Sequence, residues 1–440
     1  AVIRGSASAG LSAARVSALA VTGVTIESSG QDGIRLTDAS ASTAQVSDVT
    51  VNSNSGFGIL LQRSRADLAR VTIGATSLRA GDTRYSYNGS ALVLDSTVAR
   101  ISRLTVRADT ADTAYALVLD RGSRLTALSG STINTKYQLN VQSGSGVDSL
   151  LDNTFSTSVY SGQASRIQSA HRDQRALLVR GNTFTTPWVS LFIAPGLIPL
   201  LVERNTFNGG AQMLALSLSG DATLRDNRFV PTERNGWLVD ISATPNTAPA
   251  VVTVVGNEFR SIQQSSGLRF NAPNIQLRAD SNDFVFTGGS GSGAQGLNAW
   301  SEAPIHAGYN RFAGPWAYGI VTSGGSGTGA PRTLRRNTVD SAAIAFSVDG
   351  NSVTIDSNVV RRGASGVVIA SGWSCASVSC VVTQNAFSDL SEYGVRAIYS
   401  TSRVDARGNW WGAASGPLDD DASGAGFNPA GAGVRVRDAA

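Results

Sequence analysis

Apolar and polar residues alternate with period two in short segments along most of the chain, which is the spacing of β-strands. Segments such as "DGIRLTD", "SALVLDS" and "SGVVIAS" have this pattern and contain or follow a small residue. Helical periodicity with capping signals is nowhere sustained. The pattern therefore predicts an all-β chain built from many short strands.

A marker turn recurs along the chain: an apolar residue, two variable residues, Asn, any residue, and then Phe or another apolar residue. It reads, for example, "VERNTF", "VVGNEF" and "AGYNRF", with its asparagines roughly 21 to 30 residues apart. The asparagines are Asn153, Asn182, Asn205, Asn227, Asn257, Asn282, Asn310, Asn337, Asn358, Asn385 and Asn409. An asparagine-free form, such as "GVTI" ending at Ile26, occurs five times before them, so the markers predict about 16 units.

Repeats of this length without helices fit propeller blades, leucine-rich repeats or coils of a parallel β-helix. Blades take about 40–45 residues, and the Leu-x-x-Leu-x-Leu pattern of leucine-rich repeats is absent. The units are therefore interpreted as β-helix coils, in which each residue stacks on its counterpart about 4.8 Å away. A recurrent Asn then forms a ladder whose amides bond each other and the turn backbone.

With this marker the chain resembles, over nearly its whole length, the right-handed parallel β-helices of the pectate-lyase-like type that have an inward asparagine ladder. The resemblance implies a single right-handed solenoid of about 16 coils over residues 1–411. The ending "GNWWGAASGP" resembles the terminal coil of many bacterial secreted β-helix repeat proteins. We expect Trp411 to point inward and Trp410 outward, and residues 412–440 to form a capping tail.

Distance from the marker Asn predicts which way a side chain points. Residues three and five before it, such as Val179 and Leu177, are mostly apolar and are expected to point inward. The residue two before it is expected to point outward, and there the charges nearly alternate, as in Arg180 and Glu203. This pattern predicts an exposed ladder of opposite charges, in which each pair adds a few tenths of a kcal/mol to the stability of the chain.

Composition narrows the class of partner. Hydrophobic residues make up 42% of the chain and charged residues 15%, with a net charge of +4 and no basic cluster. We therefore expect no nucleic-acid partner, and the lack of a long apolar run predicts no membrane span. The chain begins within what reads as a full coil, so we expect its N-terminal end to continue into, or be covered by, another segment.

The two cysteines, Cys375 and Cys380, enclose a short loop and are expected to form a disulfide, which fits an oxidising compartment. Both histidines lie far away in sequence, so no zinc site is expected at these cysteines. Together with the resemblance, this predicts an extracellular or cell-surface bacterial protein.

The catalytic signatures of the resembled polysaccharide-cleaving enzymes, such as Asn-Thr-Asp and Gly-His-Gly, are absent, so no catalytic residue is assigned. Asp280 and Asp283 are the one calcium candidate, but they flank a ladder Asn and are expected to point to different sides. We therefore predict neither a metal nor a cofactor. Two converging carboxylates about 5–10 Å apart are not excluded by the sequence.

Three tryptophans lie at or just before the alternating strand segments between the markers, namely Trp188, Trp237 and Trp316. They are candidates for stacking on sugar rings; the alternative is that they pack beneath neighbouring loops.

Two functions remain open. The first is a secreted or cell-surface structural or adhesive rod that binds carbohydrate or a surface partner. The second is a polysaccharide lyase or glycoside hydrolase of the same fold. The absence of known motifs favours the rod.

Overall fold

The computed structural model describes residues 1–74, 76, 89–107, 115–142, 144–157, 163–210, 212–232, 235–243, 249–289, 293–324, 330–349, 352–369, 380–398, 404–419 and 427–437. These residues form strands and turns without a helix. The fold is a right-handed parallel β-solenoid of about 14 turns. The predicted fold class is confirmed. The expected number of 16 coils is approximate, since the structure has about 14 turns.

The chain divides into two compact units, Ala1–Ala215 and Leu216–Ala440, and the strand Leu214–Leu218 contains the boundary. In each unit the strands form three columns with parallel pairing from coil to coil. The first column follows the marker turn, the second comes next along the chain, and the third precedes the following marker turn. The predicted division at residue 411 stays a prediction.

In Ala1–Ala215 the first column contains Val2–Arg4, Thr25–Glu27, Thr105–Arg107, Thr132–Asn134, Thr154–Ser156, Thr183–Thr186 and Thr206–Gly209. The second contains Leu11–Ala14, Ile34–Thr37, Ile59–Gln62, Leu92–Asp95, Leu117–Asp120, Leu139–Val141, Gln163–Ile167 and Val189–Ile193. The third contains Ala20–Thr22, Val98–Ser102, Arg124–Ser129, Gly146–Val147, Ser149–Leu151, Leu177–Arg180 and Leu200–Glu203. Ala44–Asn52 and Arg65–Ile73 run through the marker turn from the third column into the first.

In Leu216–Ala440 the first column contains Arg228–Pro231, Glu258–Ser261, Asp283–Phe286, Arg311–Ala313 and Thr338–Asp340. The second contains Asn235–Ala243, Gln264–Asn271, Gln295–Trp300, Tyr318–Ser323, Ile344–Val348 and Gly433–Arg437. The third contains Ala222–Arg225, Ala250–Val255, Ile275–Asp280, Ile305–Gly308, Arg332–Arg335, Val353–Asp356, Cys380–Thr383 and Val404–Asp405. Val359–Ile369 and Ala386–Ala397 run from the first column into the second, and Pro417–Leu418 pairs with Gly433–Arg437.

In each unit, the apolar residues that end the markers form a row inside the first column. Asparagine-free and asparagine-bearing markers share this register, as Ile133 pairs with Val106 and with Phe155. Phenylalanine rings stack face to face along the row, and Phe259 and Phe284 have centroids 4.5 Å apart. The markers therefore encode one side of the core, as the sequence predicts.

The asparagine ladder is confirmed. Side-chain amides of successive ladder residues are 2.9 or 3.0 Å from the next Oδ1, along Asn153–Asn182–Asn205 in the first unit and from Asn227 to Asn409 in the second. The residue before each ladder Asn has a positive φ, such as 54° at Arg204. Within such a turn, Nδ2 of Asn205 donates to the carbonyl oxygens of Glu203 and Val179, at 3.0 and 2.9 Å. The ladder thus ties each turn to a carbonyl oxygen of its own coil and to one of the preceding coil.

A second ladder in the first unit consists of hydroxyl groups at the turn between the second and third columns. Each hydroxyl oxygen accepts a hydrogen bond from one backbone N–H group in the preceding coil, at 3.0 to 3.3 Å. The residues are Ser64, Thr97, Ser123 and Ser145. Sequence analysis missed this ladder because serine and threonine are common throughout the chain.

The outward charges two residues before the marker Asn pair between coils, as predicted. Arg180 Nη1 lies 3.6 Å from Glu203 Oε1, and Arg335 Nη2 lies 3.7 Å from Asp356 Oδ2. Glu203 differs from the expected exposed charge, because its side chain is only 4% exposed.

The C-terminal residues cover the last marker. Trp411 is buried and stacks on Phe387, with 5.2 Å between ring centroids, whereas Trp410 is 52% exposed. The backbone N–H of Val434 donates to the Trp411 carbonyl oxygen at 2.8 Å, in the strand that adds a final rung to the second column. A returning segment of the tail therefore lies against the inward tryptophan.

Candidate functional site

Two clefts lie on the outer surface of the coils between Gln264 and Arg335. The first, the tryptophan cleft, is lined by Arg269, Phe270, Asn271, Asn298 and Trp300. The second, the histidine cleft, is lined by Gln276, Arg278, Asp280, Pro304, Ile305, His306, Pro331 and Thr333. The turn formed by residues 301–304 joins the strand that carries Trp300 to the strand that carries His306.

The tryptophan cleft is built by the register of the second column. Arg269 pairs with Asn298, and Asn271 pairs with Trp300, so two amides, an indole and a guanidinium meet on two successive coils. Strand alternation points these residues away from the core, which is filled by their neighbours Phe270 and Ala299. The cleft has a volume of about 300 Å³, and its indole is half-buried.

Arg269 is held in place from the neighbouring coil. Its Nε donates to Asp240 Oδ1 at 2.8 Å, and an Nη group of the same guanidinium bonds the other carboxylate oxygen. These hydrogen bonds raise the pKa of Arg269 above its ordinary value. The guanidinium also lies 5.9 Å from the ring centroid of Trp237. The tryptophan cleft therefore has one rigid wall, in which the arginine charge is balanced by an aspartate.

The histidine cleft is built by two outward rows of the third column. Arg278, His306 and Thr333 occupy one row, while Asp280 and Gly308 occupy the next. His306 Nε2 lies 3.0 Å from Asp280 Oδ1, and both side chains are about a third exposed, at 31% and 32%. The volume of this cleft is about 430 Å³.

A buried arginine supports the turn between the clefts. Arg332 takes an inward position, paired with Ile305 and Val353 in the register, and is only 2% exposed. Its guanidinium donates to the carbonyl oxygens of Ser301, Ala303 and Ala330. Burial lowers the pKa of Arg332 below its ordinary value. This inward charge fixes the backbone between Trp300 and His306.

Three tryptophans were candidates for stacking on sugar rings, and for Trp316 this prediction is wrong. It is fully buried, its Nε1 donates to the Ala313 carbonyl oxygen at 3.1 Å, and its ring packs against Phe286. Trp237 is half-buried beside the Arg269 guanidinium. Trp188 is half-buried as well, and its role stays a prediction.

The structure also places the two aspartates of the calcium candidate and one of the two cysteines. Asp280 approaches His306, whereas Asp283 pairs with Arg311 at 2.7 Å, so the two aspartates engage different partners. Across the described part of the chain, no three His, Cys, Asp or Glu side chains converge on one point. Cys380 is disulfide-bonded, and Cys375 lies outside the described residues.

Sequence analysis missed Trp300, the Asp280–His306 pair and Arg332. A signal for the pair was present, because Asp280 lies two residues before Asn282 and His306 lies four residues before Asn310, which places both in outward rows of successive coils. No comparable signal identified Trp300, since the turn between the second and third columns varies in length.

Within the described ranges, no helix has the length and apolar character needed to cross a membrane. No protein-family model and no curated protein matches the chain.

Proposed function

We propose that this chain is a secreted or cell-surface bacterial β-helix rod that binds carbohydrate in its tryptophan cleft. The observation that carries the proposal is the combination of Trp300 with the amides of Asn271 and Asn298 and the anchored guanidinium of Arg269. An aromatic face takes the apolar face of a sugar ring, while amide and guanidinium groups bond its hydroxyls. The volume of about 300 Å³ suits a short stretch of a glycan.

A structural role is supported by how the chain uses its surface charge. Arginine–carboxylate pairs join neighbouring coils in each unit, for example Arg70 with Asp48 at 2.6 Å and Arg311 with Asp283 at 2.7 Å. Each exposed pair contributes little by itself, but repeated pairing opposes slippage of one coil past the next. This is a useful property for a scaffold that bears load or displays binding sites.

Secretion is supported by Cys380, which is disulfide-bonded. Disulfides persist in oxidising compartments outside the bacterial cytoplasm.

A second candidate function is cleavage of a polysaccharide by lyase or hydrolase chemistry. The histidine cleft favours it, because Arg278, Asp280 and His306 there place a cation, a carboxylate and an imidazole on adjacent coils. An imidazole beside a carboxylate is a common arrangement for proton transfer.

The test is binding of the labelled chain to a glycan array, followed by turnover assays on every glycan that binds. We expect Trp300→Ala to weaken binding at least tenfold. Trp410→Ala is the matched control, since Trp410 is exposed but lies outside the cleft. Absence of glycan binding, or equal binding by Trp300→Ala, would overturn the proposal; product release that requires His306 would establish the second candidate.

A further inference from the structure

We propose that Asp280 and His306 form a binding site for a divalent transition-metal ion, of which Zn²⁺ is the best probe. The site is independent of the proposed glycan binding. Its basis is a pair of ligand atoms held close together on neighbouring coils, at 3.0 Å between Asp280 Oδ1 and His306 Nε2.

The two atoms are close without forming a hydrogen bond. Asp280 Oδ1 is buried, yet it has no hydrogen-bond partner among the described residues. A buried carboxylate oxygen without a donor is costly, so this oxygen is suited to a further positively charged partner. Bonds of about 2.0–2.2 Å from zinc to nitrogen and oxygen place adjacent ligands of one ion roughly 3 to 3.5 Å apart. The observed separation fits two ligands of the same ion.

Gly308 provides space beside both atoms. It follows Asp280 in the same outward row, and a Cβ added to it would lie 2.7 Å from Asp280 Oδ1 and 2.9 Å from His306 Nε2. The position that a side chain would occupy is therefore within reach of both ligands. The φ of Gly308 is not positive, so the small size of glycine, rather than its conformational freedom, is the relevant property.

The ligand chemistry selects the class of ion. A neutral imidazole nitrogen with a carboxylate oxygen suits Zn²⁺, Cu²⁺ or Ni²⁺, whereas Ca²⁺ and Mg²⁺ prefer oxygen ligands alone. The protein supplies two ligands, so water completes the coordination of the ion. Arg278 lies next to His306 in the same row and opposes a cation, which keeps the site weaker than a closed structural zinc site.

The experiment is a calorimetric titration of the untagged chain with ZnCl₂, with CaCl₂ as the comparison. We expect saturable binding of a single equivalent of Zn²⁺ and no such binding of Ca²⁺. Asp280→Asn and His306→Gln should each weaken Zn²⁺ binding at least tenfold. His171→Gln is the matched control, because His171 is the other histidine of the chain and Nδ1 of its ring accepts a bond from the Asp173 backbone.

Gly308→Ala is the discriminating variant, because it keeps both ligands and only fills the space beside them. It should weaken Zn²⁺ binding as strongly as the loss of a ligand, while the circular dichroism of the metal-free chain stays unchanged. The proposal fails if the parent chain does not bind Zn²⁺, if Gly308→Ala or His306→Gln binds it like the parent, or if His171→Gln abolishes binding.

Discussion

Asn282 donates two hydrogen bonds to a single oxygen of Asn310: its Nδ2 lies 2.9 Å from that Oδ1, and its backbone nitrogen lies 3.0 Å from it. The same Nδ2 also donates to the carbonyl oxygens of Val254 and Asp280, at 2.9 and 3.1 Å. One buried amide therefore joins three coils.

Replacing Asn282 by Leu should lower the free energy of unfolding by on the order of 3 kcal/mol, because several buried polar groups lose their partners at about 1–3 kcal/mol each. Urea unfolding followed by circular dichroism measures the change. Asn208→Leu is the control, since Asn208 lies on the outward side of the first column and outside the ladder. Equal midpoints for the two variants would contradict a stabilising ladder.

Arg204 has a φ of 54° directly before a ladder asparagine. A left-handed conformation costs an L-residue about 1–2 kcal/mol and costs glycine little. We expect Arg204→Gly to raise the urea midpoint slightly and Arg204→Val to lower it, because β-branched residues tolerate this conformation worst. Arg180→Gly, within a strand, should lower the midpoint. The same loss at both positions would show that the turn conformation is not the cause.

Arg332→Met should lower the stability of the chain by on the order of 3 kcal/mol, because buried polar groups that lose their hydrogen-bond donor cost about 1–3 kcal/mol each. It leaves the carbonyl oxygens of Ser301, Ala303 and Ala330 without the guanidinium. Because that turn follows Trp300, tryptophan fluorescence should also change before global unfolding. Arg335→Met, which removes a more exposed pair with Asp356, should cost about 1 kcal/mol or less. A similar small loss for Arg332→Met would mean that the turn holds without its buried cation.

Hydrogen bonds from arginines lower the pKa of several outward aspartates, most strongly that of Asp405, to about 2 through Arg407. Hydrogen bonding to Arg63 and Arg70 likewise lowers the pKa of Asp38 and Asp48 below 3.8. Since the folded values lie below the unfolded ones, the contribution is fully present above about pH 4 and is lost as pH falls toward 2.

We therefore expect the thermal midpoint to fall between about pH 4 and pH 2 and to fall less steeply in Asp48→Asn. Carboxyl NMR titration measures the individual values. An Asp48 pKa at or above 3.8 in the folded chain would contradict the pairing with Arg70.

The sequence by itself determined the coil, the ladder and the inward row of the first column. This was possible because coils stack residue upon residue, so any side chain needed at every level must recur at a nearly fixed offset. Asn205, Phe207 and Val179 keep such offsets from coil to coil, and the structure places them accordingly.

Only the tertiary structure decided which outward residues meet. Trp300 and Asn271 become neighbours through the register of the second column, which cannot be obtained by counting from a marker when the intervening turns differ in length. It also decided that Trp316 is buried. The direction of Trp316 depends on how neighbouring turns pack around it, and that packing sets its ring against Phe286, about one coil away rather than adjacent in sequence.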